Sequence, residues 1–256
     1  LKGCDTVFHL AALIGIPYSY ISPKAYIETN ITGTYNILQA AKESGVKQIL
    51  VTSTSETYGT AQYVPIDEKH PLVGQSPYSA TKISADQLAI SFYRSFNLPV
   101  KIVRPFNTYG PRQSARAIIP TVISQLLSGK ENLSLGNLAP TRDLTYVKDT
   151  CKGFLEIYKS AKLYGEVTNI GMGQEISIGD LVKKIGSLLS ISTNIKTDSL
   201  RVRPENSEVE RLLCNNNKIL KNTNWKPDYD LDKGISETIE WIKNYMDMYK
   251  PDIYNV

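Results

Sequence analysis

Short apolar runs at residues 6–10, 48–52, 100–103 and 166–170, separated by long stretches of helical periodicity, constrain this chain more than anything else in it. Residues 23–43 place Ala25, Ile27, Ile31, Tyr35, Leu38 and Ala41 at helical spacing and stop near Gly45, and residues 78–96 form a second long helical stretch. Strands that are apolar along their length are buried on both faces, and strand–helix alternation delivers them parallel. The expected fold is therefore α/β, a doubly wound parallel sheet. Further on, helices are expected at 118–128, 150–161, 177–191, 215–221 and 232–246, with strand segments before Asp143 and a basic-acidic loop at 201–211. Pieces that alternate between sheet-like and lid-like character after Pro111 suit a second, smaller mixed α/β domain.

At 256 residues the chain can bury a substantial core as one large domain or two coupled ones. Its net charge of +4 comes from scattered Lys and Arg, which suits an anionic ligand but does not indicate nucleic-acid binding. No apolar run approaches the roughly 20 residues of a membrane span. Cys4, Cys151 and Cys214 are odd in number, far apart and without metal-ligand spacing, so no metal is expected and a reduced, cytoplasmic setting is.

The chemistry concentrates in Ser53-Thr54-Ser55-Glu56-Thr57-Tyr58-Gly59 and in Tyr78-Ser79-Ala80-Thr81-Lys82. On a helix, a tyrosine and a lysine four residues apart share a face. One unit charge at roughly 5 Å in an effective dielectric near 20 is worth about 3 kcal/mol, or about 2 pKa units, so Lys82 is expected to draw Tyr78 down toward a useful general base. The first segment adds hydroxyls that can hold a substrate oxygen and one carboxylate, Glu56, for a second proton. One base for an O–H and another for a C–H is the equipment of a redox-primed elimination. Taken singly, each has a plainer reading: a surface pair, hydroxyls satisfying a loop, a solvated glutamate.

Together with Arg104-Pro105-Phe106-Asn107-Thr108-Tyr109-Gly110-Pro111-Arg112, these segments resemble the extended short-chain dehydrogenase/reductases of the NAD-dependent epimerase/dehydratase family, and among them the nucleotide-sugar 4,6-dehydratases. The resemblance runs from Asp5 to Pro227. It implies a Rossmann-like NAD-binding domain over 1–112 and 142–175 and a nucleotide-sugar-binding domain over 113–141 and 176–256. By the same resemblance Tyr78 takes the sugar O4 proton while NAD accepts hydride from C4, and Lys82 bonds the nicotinamide ribose. Thr54 binds O4, and Ser53 is a second donor beside the cofactor, which Ala11 and Ala12 line. Glu56 removes the C5 proton so that the C6 hydroxyl leaves as water, giving a 4-keto-6-deoxy sugar. Asn107, Arg142 and Arg203 approach the sugar or grip its diphosphate, and Glu208 accepts from a ribose hydroxyl. His9 is as readily a satisfied strand-end histidine as a catalytic one, and Asn30 matches an asparagine that serves structure. A homodimer is expected through the helices near 25–41 and 78–96.

Ser55 departs from dehydratases of dTDP-glucose, which carry Asp there as the acid for the leaving hydroxyl. The Ser-Glu pair is instead similar to dehydratases of GDP-mannose and of UDP- or GDP-N-acetylglucosamine, and it occurs in UDP-glucuronate decarboxylases. Residues 203–212 and 12–20 resemble the dehydratases that open legionaminic-acid-type pathways, which implies UDP-N-acetylglucosamine or a close relative as substrate. A 4-epimerase, a decarboxylase and a non-enzymatic scaffold that kept the fold remain open. No G-x-x-G-x-x-G turn is present, and Gly171-Met172-Gly173 lacks the third glycine. The reading is that the first strands, at about 30 residues for each βαβ unit, lie upstream of this sequence, and that this stretch alone binds NAD poorly.

Overall fold

The computed structural model describes residues 1–253. Strand β1 (Thr6–His9) leads through a short helix, α1 (Ile16–Ile21), into one rod built of α2 (Pro23–Tyr26), a π-helical stretch (Ile27–Thr32) and α3 (Gly33–Ser44). Gly45, at φ 61°, closes that rod in the left-handed conformation a glycine adopts without strain. Next come β2 (Gln48–Thr52), α4 (Pro77–Phe96), β3 (Val100–Pro105), β4 (Asn107–Tyr109) and α5 (Ile118–Leu127). After β5 (Asn132–Leu135), β6 (Thr141–Arg142) and β7 (Leu144–Tyr146), the chain forms α6 (Val147–Lys159), β8 (Val167–Ile170), β9 (Ile176–Ser177) and α7 (Ile178–Leu189). It ends with β10 (Asn194–Thr197), β11 (Arg211–Leu212), α8 (Asn217–Asn222) and α9 (Leu231–Asn244).

The main sheet is parallel throughout, in the order β1–β2–β3–β8. Its strands look uniformly apolar because both faces are covered. Ile49, Val51, Val100 and Ile102 pack against Leu38, Ala41, Ala89 and Phe92 of α3 and α4. Leu50 and Val103 turn the other way, onto Phe154 and Ile157 of α6 and onto Ile219 and Trp225 further along the chain. The α/β expectation therefore holds, with helices on both faces of a parallel sheet. A separate core gathers α5, α7 and α9 around Val122, Ile123, Leu181, Ile185, Ile235 and Ile239. Beside it lie three small strand groups, β4–β7, β5–β10 and β6 between β9 and β11.

Two features depart from the periodicity. Helix α1 was not foreseen, and the 23–44 rod is interrupted by the π stretch. Asn30 lies within the second. Its side chain turns inward to accept from Leu13 N (2.9 Å) and to donate to Leu13 O (3.0 Å) and Thr81 Oγ1 (3.1 Å). It thereby pins the 10–15 loop to α4, and the structural role expected for it is what the coordinates show. Helix α6 starts at Val147, three residues before the expected 150.

Two charged side chains, Lys101 and Arg104, are buried within the sheet on β3. Lys101 is wholly buried on β3, and the three N–H groups of its ammonium are shared among four oxygens within 3.0 Å, Ile157 O, Tyr158 O and Ser160 O at the end of α6 and Gln48 Oε1. A cation at a helix C-terminus opposes the dipole and satisfies the carbonyls the last turn leaves free. Lys101→Met is expected to strand those carbonyls and destabilise the protein by about 1–3 kcal/mol, seen as a lower urea midpoint at unchanged slope.

Candidate active site

Because β1, β2 and β3 run parallel and in register, with His9 beside Val51 and Thr52 beside Val103, the segments that leave them emerge at one edge of the sheet. Ala11 and Ala12 follow β1, Ser53 to Glu56 follow β2, and Asn107 follows β3. Crevices at the carboxyl ends of parallel strands are where such sheets bind ligands. Helix α4 is started at the same edge by a capping box between Ser76 and Ser79, with Pro77 in its first turn. That start places Tyr78 and Lys82 on the flank facing the β2 turn.

Tyr78 is buried against Ile16 and Tyr26, the Tyr26 ring meeting it edge-on at 6.2 Å. Desolvation raises its pKa, and the Glu56 carboxylate nearby raises it further, while the Thr54 hydroxyl pulls it down. The expectation that Lys82 lowers the Tyr78 pKa is corrected here. The Lys82 ammonium donates to Thr52 O at 2.5 Å, and burial lowers its own pKa. A four-residue spacing puts the two groups on one face, but burial outweighs what the ammonium offers from its station on the strand.

The β2 turn is a 3-10 turn over Ser55–Tyr58, capped by Thr54, whose Oγ1 accepts from Glu56 N at 3.2 Å. Thr54, Ser55 and Glu56 are all buried. The Glu56 carboxylate accepts no hydrogen bond from any described residue, yet it is electrostatically coupled to both Tyr78 and Arg142. Ser53 is not the free donor it was expected to be. Its hydroxyl donates to Asp86 Oδ2 at 2.6 Å and receives Arg104 Nε at 3.3 Å.

The remaining candidates converge as well. Arg142 is buried, which lowers its pKa, and it lies within electrostatic reach of Glu56, Arg203 and Glu208. Glu208 Oε1 holds both arginines, Arg142 Nη2 at 3.3 Å and Arg203 Nη1 at 3.4 Å. Asn107 pairs in register with Leu144, two residues from Arg142, and its Oδ1 is buried without a hydrogen-bond partner. Ala11 is exposed and Ala12 half-buried beyond the end of β1. His9 donates from Nε2 to Thr34 Oγ1 at 3.0 Å, since that hydroxyl itself donates to Asn30 O, and burial together with Lys82 lowers its pKa. Sequence reasoning missed Asp86 and Arg104, which form a buried ion pair at 2.6 Å. Asp86 was open to discovery, because it lies eight residues past Tyr78 on the same helical face.

A family model described as GDP-mannose 4,6 dehydratase matches residues 2–238. A dTDP-glucose 4,6-dehydratase of Streptomyces antibioticus is 32% identical over 247 residues, covering 96% of this chain and 72% of the relative. Among solved structures, a dTDP-glucose 4,6-dehydratase from Streptomyces venezuelae with NAD bound superimposes with a TM-score of 0.89 at 28% identity, over 98% of this chain and 77% of the other. A UDP-N-acetylglucosamine 4-epimerase from Methanobrevibacter ruminantium gives 0.88 at 31% identity, over 96% of this chain and 79% of the other.

Next to Arg142, Asp143 ties the site to the rest of the fold, accepting from Met172 N (2.7 Å), Gly173 N (2.8 Å) and Cys214 N (3.1 Å). Burial pushes its pKa up to about 6 from 3.8. Since the folded pKa exceeds the unfolded one, the folded state holds a proton that the unfolded state releases, so this group's contribution to stability falls as pH rises from about 4 to about 6. The whole effect is about 3 kcal/mol. Urea midpoints measured across this range should slope less steeply downward in Asp143→Asn than in the wild type, and parallel pH dependences would contradict the assignment.

Proposed function

The chain belongs to the GDP-mannose 4,6-dehydratase family, and on that footing we propose that it is an NAD-dependent nucleotide-sugar 4,6-dehydratase, a hydro-lyase, acting on UDP-N-acetylglucosamine or a close relative. The observation that carries this reading is Glu56: a buried carboxylate with no hydrogen-bond donor among the described residues, coupled to the Tyr78 phenol. An epimerase working through C4 alone has no use for a second base in that place. Ser55, where an aspartate would serve dTDP-glucose, turns the preference toward an N-acetylhexosamine nucleotide.

Lys82, Tyr78, Ala11 and Ala12 would hold NAD. An ammonium and a phenol at the carboxyl edge of a parallel sheet, beside two small residues, suit a nicotinamide ribose, whereas the Ser53 hydroxyl is already bonded within the protein. When bound there, NAD would supply a reversible hydride acceptor serving C4 and C6 of the sugar. Everything else falls to side chains. Tyr78 accepts the O4 proton, with Thr54 bonded to the same oxygen. The 4-ketone makes the C5 proton acidic, and Glu56 removes it. The C6–O bond breaks and the hydroxyl departs as water, using the proton Glu56 has just taken; once hydride is back at C6, C5 regains a proton from solvent by way of Glu56, and Tyr78 gives the O4 proton up to solvent. Arg142 and Arg203 bind the diphosphate, Asn107 approaches the sugar, and Glu208, which links the two guanidiniums, accepts from the nucleotide ribose.

In the division of labour proposed, 1–112 and 142–175 serve the cofactor, and 113–141 and 176–256 serve the nucleotide sugar. A homodimer is part of the same proposal, supported by Ile27, Tyr35 and Phe96, which α2–α4 leave exposed. The three cysteines are unpaired, which favours a reducing, cytoplasmic setting. No described helix is long and apolar enough to cross a membrane.

The test is incubation of the full-length protein with NAD and a panel of UDP-, GDP- and dTDP-sugars, read by mass spectrometry. Loss of water from an N-acetylhexosamine nucleotide supports the proposal. An isomer of unchanged mass would make the protein an epimerase, and loss of carbon dioxide from a uronate would make it a decarboxylase. Glu56→Gln is expected to slow dehydration by at least about a hundredfold while NADH still forms transiently. Tyr78→Phe should suppress the NADH signal as well.

A further inference from the structure

Asp86 lies one turn of α4 beyond Lys82 and two beyond Tyr78, and its side chain is fully buried. Its Oδ2 accepts from Ser53 Oγ and from Arg104 Nη2, each at 2.6 Å. Its Oδ1 is buried without a hydrogen-bond partner, an arrangement that the interior of a protein rarely tolerates without a role. The serine that grips Asp86 directly follows Thr52, whose carbonyl holds the Lys82 ammonium at 2.5 Å. Two adjacent residues at the end of β2 thus fasten a cation and an anion from the same helical face. The charged and titratable surroundings are few: Arg104 from β3, which also stacks on Tyr58 at 4.6 Å, His9 from β1, Glu56 from the β2 turn and Tyr26 from α2.

We propose that Asp86 is a positioning residue for the reaction: clamped by Ser53 and Arg104, its carboxylate is the countercharge that keeps Lys82 an ammonium, while Arg104 offsets the field that the same carboxylate exerts on Tyr78. Asp86 touches no substrate and acts through its two neighbours on α4. The direction of its influence is the same on both, upward for the phenol and for the ammonium. This proposal rests on the nucleotide-sugar reading above.

The deciding measurement is the pH profile of kcat for nucleotide-sugar turnover in variants of the full-length protein. Asp86→Asn removes the carboxylate and is expected to move both limbs toward acid by about one pH unit, because Tyr78 and Lys82 each lose a negative neighbour. Arg104→Met leaves the carboxylate unbalanced and is expected to move the limbs the opposite way by a similar amount. The double variant should bring them back toward the wild-type positions. A structural brace alone would lower the melting temperature and leave the limbs in place. Should one single variant fail to fold, the other decides, since its sign is fixed beforehand. Unmoved limbs in an active variant overturn the role of Asp86, whereas a wild-type full-length protein that turns over no nucleotide sugar counts against the reaction itself.

Discussion

The parallel registration of β1, β2 and β3 is the constraint on which the rest of the molecule depends. Pairing His9 with Val51 and Thr52 with Val103 brings three chain exits to one edge, and each exit carries a different kind of group. Small residues follow β1, hydroxyls and a carboxylate follow β2, and an asparagine follows β3. A one-residue slip of any strand would reverse its side chains between the two apolar layers, so the registration is held by the same packing that builds the core. Asn30 then locks the β1 exit to α4 through Leu13 and Thr81, so that the loop beyond β1 and the helix carrying Tyr78 move as one body.

Placing these groups at a dry edge sets burial against charge. For Tyr78 burial prevails, and its phenol titrates above the ordinary range even with an ammonium four residues away. The same burial enlarges the effect of every charge that shares the edge, because a low local dielectric strengthens each pairwise term. Tyr58 shows the balance again: burial raises its pKa to about 12 although the Arg104 guanidinium stacks on its ring. A site of this kind is controlled by where its few ions stand, and less by how many there are. In the role proposed above, the Asp86–Arg104 pair acts on the Tyr78 phenol by this means.

Much of this was legible in the sequence, for identifiable reasons. Strand runs such as 48–52 announce a buried parallel sheet because they face apolar layers on both sides. The Tyr78–Lys82 spacing announces a shared face because the helix is regular from Pro77 onward. What escaped was non-local. The ammonium of Lys82 goes to a strand carbonyl thirty residues earlier, and the hydroxyl of Ser53 goes to a helical aspartate thirty-three residues later. Neither partner is visible from a motif. The bonds from Asn30, within the π stretch, to Leu13 escaped because no helical periodicity encodes them. Helix α1 escaped because six residues are too few to display a period.

The proton for the departing C6 hydroxyl follows from the same geometry. Ser55 is buried, and a serine hydroxyl is too weak an acid to protonate a leaving group. Arg142 and Arg104 do not release protons at any pH a folded protein meets. Lys82 is engaged with Thr52 O, and in the proposed reaction Tyr78 has already taken the O4 proton, which it must hold until the ketone is reduced elsewhere or released. Among the carboxylates described at this edge, Glu56 alone accepts no hydrogen bond from a described residue, and in the proposed reaction it takes the C5 proton. In the reaction proposed here the proton for the oxygen that leaves C6 comes from Glu56, directly or relayed by a water. Direct transfer by that one carboxylate requires the hydroxyl to leave from the side on which the hydrogen is taken, so a syn course is the expected outcome of the proposed reaction.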